Sequence, residues 1–246
     1  MFALILLFLI LFVIVLYSFS DNKKSIPLKI FQTWYTKDLP LNMKNAVNKL
    51  KQQNPEFQHF LFDDNDCRNY IIKHFNKDVL YAFDKLIPGA FKADLWRYCV
   101  MYIEGGVYLD IKYYCEDGFS LKELINDNCL VRDRDDHFVN GSGIYNAFIV
   151  SFPENKIYKK LIERIVYNVK NNFYGYNSLY VTGPGLFGEL YDSKKCKLYF
   201  NGNDSICKNN GQVIMRKYDL YNNDKYANNK KDYDYLWRLQ NIYKEM

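Results

Sequence analysis

The chain has 246 residues, 49% of them hydrophobic and 18% aromatic, which excludes a disordered chain and leads us to expect one domain of α/β size with a large core. Its 33 basic and 28 acidic side chains leave a net charge of +5, and the basic residues near the end are mixed with acids, so a nucleic-acid footprint is not supported. With three histidines and no Cys-x-x-Cys pair among six cysteines, a zinc cluster is not expected.

Met1–Phe19 is almost unbroken Phe, Leu, Ile and Val, with no charge before Asp21. Its length is about that of one membrane-spanning helix, roughly 20 residues. No basic region precedes it and no clear small-residue cleavage pattern follows, which favours an uncleaved anchor over a signal peptide. Residues 20–25 then form a short linker before a domain covering 26–246. Lys23, Lys24 and Lys29 follow the span, so the positive-inside bias would put that domain in the cytosol.

Ile26–Trp34 reads as a first strand after Pro27. Asn42–Gln53 has helical spacing, with Met43, Ala46, Val47 and Leu50 on one face, and Asn54-Pro55 breaks it. Phe57–Phe62 is a second strand. The acidic cluster Asp63-Asp64-Asn65-Asp66 reads as turn and cap rather than metal site, with Asp66 as N-cap of a Cys67–Phe75 helix. Asp78–Leu86 is a further short helix.

The central stretch is Gly89–Cys115. From Ala90 to Ile103 the residues Leu95, Cys99 and Ile103 recur every fourth position and line one face of a helix, where Cys99 reads as a buried free thiol. Asp94 and Arg97, three apart, lie together on a neighbouring face and in isolation read as an intrahelical ion pair. Gly105-Gly106 reverses the chain into Val107-Tyr108-Leu109, a buried strand that delivers Asp110 to the edge where open α/β sheets place ligands.

Beyond it, Arg132–Asp136 reads as a solvated charged loop. Gly141–Val150 is a strand and Lys156–Asn171 an amphipathic helix, with Ile157, Leu161, Ile165 and Val169 spaced by four. Val181-Thr182-Gly183-Pro184-Gly185 leads into a Leu186–Tyr191 helix, and strands are expected at Lys197–Phe200 and Gln212–Met215. Cys196 and Cys207 flank a polar loop and could close a disulfide in an oxidising compartment. Asn140-Gly-Ser and Asn203-Asp-Ser are N-glycosylation acceptors in form.

The run ADLWRY followed by GGVYLD, with the opening IPLKIFQTW, resembles the family 32 glycosyltransferases, which include initiating mannosyltransferases and are similar to the clostridial toxin glucosyltransferases. The resemblance implies a GT-A type nucleotide-sugar-binding α/β fold behind the membrane helix, and retaining transfer of a hexosyl unit (mannose, galactose or glucose) from UDP- or GDP-hexose to a glycan or glycoprotein. It implies base stacking on Trp34, donor contacts from Asp94, Arg97, Tyr108 and Asn146, a sugar-pocket border at Gly183 and a diphosphate cap from Trp237. Relatives with such an anchor face the secretory lumen, against the charge argument above.

The family motif ends in Asp-any-Asp, whereas this chain reads Asp110-Ile111-Lys112. Paired carboxylates there hold Mn2+ or Mg2+, which neutralises the departing diphosphate. In a regular strand Lys112 would face the same site as Asp110. Either Asp110 holds the cation with Asp232 or Asp234, or the Lys112 ammonium takes over part of its work, or catalysis is lost; retained activity is favoured. Two other classes stay open: a non-catalytic nucleotide-sugar-binding relative, and a haloacid-dehalogenase-like phosphatase, which Lys112 and the mid-chain position of Asp110 count against.

Overall fold

Short apolar runs assemble a nine-stranded sheet in the computed structural model, which describes residues 25–139, 143–202, 204–226 and 231–245. The expected anchor Met1–Phe19 and the acceptor residues Asn140 and Asn203 lie outside the described residues. Among the described residues no helix is long and apolar enough to cross a membrane.

The strands are β1 (Lys29–Thr33), β2 (Gln58–Phe62), β3 (Gly106–Leu109), β4 (Tyr113–Cys115), β5 (Cys129–Arg132), β6 (Ile144–Ser151), β7 (Leu198–Phe200), β8 (Ser205–Lys208) and β9 (Val213–Lys217). Their spatial order is β2-β1-β3-β6-β5-β7-β8-β9-β4. β1 pairs parallel with β2 and β3, and β6 runs antiparallel to β3, so the sheet is mixed. The helices are α1 (Leu41–Gln53), α2 (Asp64–His74), α3 (Lys77–Lys85), α4 (Gly89–Ile103), α5 (Lys156–Lys170), α6 (Pro184–Leu190), α7 (Tyr221–Tyr226) and α8 (Tyr233–Arg238).

Side-chain alternation along the strands builds two cores. Phe31, Tyr108 and Ile149 enter a cluster with Leu95 and Cys99 of α4 and Leu161 of α5. Their neighbours Ile30, Val107 and Phe148 enter a second cluster with Leu50 of α1. A period of two divides each strand in this way between opposite faces of the sheet.

α4 differs from the one-faced helix expected of it. It is buried continuously from Asp94 to Met101, while Ile103 is only half-buried, because the helix packs against both β3 and α5. It ends at Gly105 and Gly106, whose φ values of +63° and +91° suit glycine. A Cβ on Gly105 would lie 2.5 Å from the Pro153 nitrogen, so this turn must stay bare for the chain to re-enter the sheet as β3.

Two further expectations are corrected. The N-cap of α2 is Asp63, not Asp66: Asp63 accepts from the Asp66 amide at 2.9 Å and Asp66 accepts from the Asp63 amide at 3.2 Å, a reciprocal capping box. Cys196 and Cys207 form no disulfide; all six cysteines are buried free thiols, and Cys207 sits on β8 opposite Tyr199 of β7.

Candidate functional site

The C-terminal ends of the parallel strands β1, β2 and β3 open into a cleft of about 700 Å3. Trp34 follows β1, Asp64 follows β2 and Asp110 follows β3, so one rim of the sheet supplies all three. Of the candidates named from sequence, Trp34, Asp94, Arg97, Tyr108, Asp110, Lys112, Asn146, Gly183, Asp232 and Asp234 all line this cleft. Trp237 is not on its lining: the indole packs against the helical-side core and donates to the Tyr174 carbonyl at 2.6 Å.

A chain of alternating charge runs from the helix to the cleft. Arg97 pairs through Nη1 with Asp94 and through Nη2 with Asp110 Oδ1 at 3.1 Å, and Lys112 Nζ pairs with Asp110 Oδ2 at 3.0 Å. Tyr108 receives a hydrogen bond from Arg97 Nη2 at 3.0 Å and donates to Asp110 Oδ1 at 2.9 Å. Burial works against the charge on Asp110, but Lys112 and then Arg97 hold its carboxyl below the usual range; burial also opposes the Lys112 charge, and Asp110 lifts that ammonium above its ordinary value.

Lys112 reaches the site by another route than strand alternation. β3 stops at Leu109, and the Tyr113 amide donates to the Asp110 carbonyl at 3.0 Å, closing a tight turn over 110–113. The turn brings Lys112 back over Asp110 and restarts the chain as β4, on the far edge of the sheet.

Asp94 ties the walls of the cleft together. Besides Arg97 it accepts from Asn146 Nδ2 at 2.9 Å and from the Thr182 hydroxyl at 2.8 Å, so helix α4, strand β6 and the turn before α6 converge on one carboxylate. Asn146 also donates to the Tyr98 hydroxyl at 2.8 Å, which commits both amide hydrogens to the scaffold. Gly183 is bare for a related reason: a Cβ there would come within 3.2 Å of Asp94 Oδ2.

The residues present do not fit a divalent cation. Asp110 Oδ1 already accepts two donors and Oδ2 faces an ammonium, where a hard cation needs several free oxygen ligands. Asp232 and Asp234, expected to complete the ligand set, are engaged elsewhere: Asp232 pairs with Lys225 at 2.9 Å and caps α8, and Asp234 accepts from Ser178 at 2.8 Å and pairs with Arg238. Among the described residues no three His, Cys, Asp or Glu side chains gather into a group able to hold a metal.

Sequence reasoning missed Asp133, Tyr145, Tyr221 and Lys225, which also line the cleft. Asp133 belongs to the block read as a solvated loop, yet it is 8% exposed, and burial pushes its carboxyl up to about 6. The available signal was its place one residue beyond β5, at a sheet end. The tyrosines gave no signal in a chain with 23 of them.

Residues 40–131 match a family model described as a glycosyltransferase sugar-binding region containing a DXD motif. The chain is similar to inositol phosphoceramide mannosyltransferase 2 of Schizosaccharomyces pombe, 27% identical over 202 residues that cover 82% of this chain and 55% of that protein. It is also similar to the initiation-specific alpha-1,6-mannosyltransferase of Candida albicans, 30% identical over 97 residues, covering 37% of this chain and 25% of that protein. Mannosyl phosphorylinositol ceramide synthase CSH1 of Saccharomyces cerevisiae is 24% identical, covering 86% and 54%. The chain thus spans about half the length, or less, of these curated relatives. Among solved structures, PaToxG glycosyltransferase shares the fold with a TM-score of 0.50 at 16% identity, covering 70% of this chain and 71% of that one.

Proposed function

We propose that this family 32-like glycosyltransferase moves a hexosyl unit from a nucleotide-sugar donor, a UDP- or GDP-hexose, to a hydroxyl acceptor with retention of anomeric configuration. The observation that carries the reading is the cleft at the ends of β1 and β3, where Asp110 stands beside two cations and Trp34 shares the lining. Mannose, galactose and glucose are the candidate sugars, and the names of the curated relatives favour mannose.

The Trp34 ring lies 5.2 Å from Tyr35 and 6.5 Å from Tyr221 and offers a flat apolar face for the base. The diphosphate lies toward the Asp110–Lys112 turn, where fixed positive charge stabilises the negative charge that develops as the sugar departs. Asp94 and Arg97 act chiefly by holding Asp110, Tyr108, Asn146 and the Thr182–Gly183 turn in one arrangement, because their polar atoms face each other more than the cleft. The anomeric carbon–oxygen bond breaks with its electron pair going to the diphosphate, and the acceptor oxygen bonds to the same carbon and loses its proton. Met1–Phe19 would tether this domain to a membrane, on the strength of its apolar length alone.

The test is incubation of the purified domain with UDP- and GDP-linked mannose, galactose and glucose, scored for free nucleotide and, with glycan, glycoprotein or inositol-phosphate lipid acceptors, for glycoside. Product anomers read by proton NMR decide retention. Nucleotide binding without turnover on any acceptor would favour the non-catalytic relative. The phosphatase reading lacks its second acid, since Lys112 stands at that position.

A further inference from the structure

The region matched by residues 40–131 is described by its Asp-any-Asp motif, and this chain carries an ammonium where the second carboxylate belongs. We propose that the Lys112 side chain is a built-in replacement for the divalent cation, so that the chain binds its donor's diphosphate without metal. The inference rests on the nucleotide-sugar reading above and specifies how that site handles charge.

Three observations support it. Lys112 Nζ lies 3.0 Å from Asp110 Oδ2, directly against the carboxylate on which a cation would sit. An ammonium has three donors and no acceptor, so two hydrogens remain for oxygens of a ligand once Asp110 has taken one. The side chain is only 17% exposed, yet it lines the cleft, and the rings of Tyr113, Tyr145 and Tyr221 stand 5.3, 5.5 and 5.9 Å from Nζ. Those aromatic faces favour a cation there and restrict where it can move.

The neighbouring cation cannot do the same work. Arg97 is 5% exposed, and both terminal nitrogens of its fork are committed to Asp94, Tyr108 and Asp110. Asp94 is already paired with Arg97 and Asp110 with both Arg97 and Lys112, so a divalent ion pressed against Asp110 would meet the ammonium with no unpaired carboxylate in this cluster to offset the repulsion. With Lys112 in place, the bond from the anomeric carbon to the β-phosphate oxygen breaks with its pair on that oxygen, which accepts a hydrogen bond from the ammonium. The acceptor hydroxyl oxygen forms the new bond to carbon and passes its proton to the departing diphosphate. Lys112 keeps its own proton throughout.

Binding of UDP and GDP, by calorimetry, separates the possibilities without reliance on turnover. In wild type, affinity in EDTA should lie within about threefold of that in Mn2+, and electron paramagnetic resonance of Mn2+ should show the free hydrated ion in the presence of protein and nucleotide. Lys112→Ala should weaken binding about tenfold or more with no recovery on adding Mn2+, whereas Lys112→Arg should keep most of it. Lys112→Asp, which restores the paired carboxylates, should bind poorly in EDTA and recover with Mn2+. Should that variant fail to fold, the wild-type comparison decides alone. Wild-type binding that collapses in EDTA and returns with Mn2+ overturns the role of Lys112 and leaves the transferase reading standing. No nucleotide binding in either buffer overturns that reading, and this inference with it.

Discussion

Arg97 reaches Asp110 Oδ1 at 3.1 Å while its other terminal nitrogen holds Asp94, so one guanidinium joins the middle of α4 to the residue that follows β3. A planar fork can serve two carboxylates at fixed angles, and a lysine ammonium cannot reproduce that spacing. Arg97→Lys is therefore expected to cost about 2–4 kcal/mol in denaturant unfolding, and Arg97→Ala about 3–5 kcal/mol, because each leaves buried carboxylates short of a partner. A lysine variant as stable as wild type would mean that the fork geometry is dispensable.

The Gly105 turn makes a prediction about the fold that is independent of chemistry. A Cβ at Gly105 would lie 2.5 Å from Pro153 N and 2.8 Å from Ser151 O, both backbone atoms that cannot swing aside, and φ is +63°. Gly118 has a comparable φ of +81° but open space around it. Gly105→Ala is expected to destabilise by about 2–4 kcal/mol and Gly118→Ala by about 1 kcal/mol, the second being conformational strain alone. Equal losses in thermal unfolding of the two variants would show that the steric contact adds nothing.

Asp133 should make stability depend on pH in a definite direction. Burial raises its carboxyl from 3.8 to about 6. A raised acid is favoured in its protonated form by the fold, so its contribution is fully present below the unfolded value and is lost as pH climbs through about 6. Asp133→Asn removes the titration, so the variant should gain on wild type between about pH 4 and pH 6, by up to about 3 kcal/mol. Urea midpoints measured across that window check it, and a difference that stays flat with pH would rule out a buried, titrating Asp133.

Trp34 offers a direct probe of the proposed donor site. Its indole N–H is buried and has no hydrogen-bond partner among the described residues, while the ring lines the cleft. Stacking of a base on an aromatic face is worth about 1–3 kcal/mol, so Trp34→Ala should weaken UDP or GDP binding by roughly tenfold or more. Nucleotide should quench tryptophan emission in wild type and much less in the variant. Unchanged affinity would remove Trp34 from the donor site.

Much of the site was legible in local sequence because its parts are close in the chain. Asp94, Arg97, Tyr108, Asp110 and Lys112 fall within nineteen positions, on a helix, a glycine turn and a strand whose apolar spacing announces each element. Asp133 was legible only as a residue at a strand end, and Tyr221 not at all. A charged residue after a short strand reads the same whether its loop turns to water or folds over a cleft, and that depends in part on strand β7, which pairs with β5 from far along the chain. The cap of α2 was missed by three positions because four consecutive Asp and Asn residues compete for the same role.

By itself the sequence determined that a helix ends at two glycines and feeds a buried strand toward Asp110, and that an ammonium follows where a carboxylate is customary. Only the tertiary structure decided that Lys112 turns back onto Asp110, that Arg97 is shared between two carboxylates, and that Trp237 faces Tyr174 instead of the cleft. The reason is physical: backbone propensity and apolar period are local properties, whereas whether neighbouring charges are sealed from water, and so must keep one another as partners, is set by elements tens of residues away such as β6 and the turn before α6.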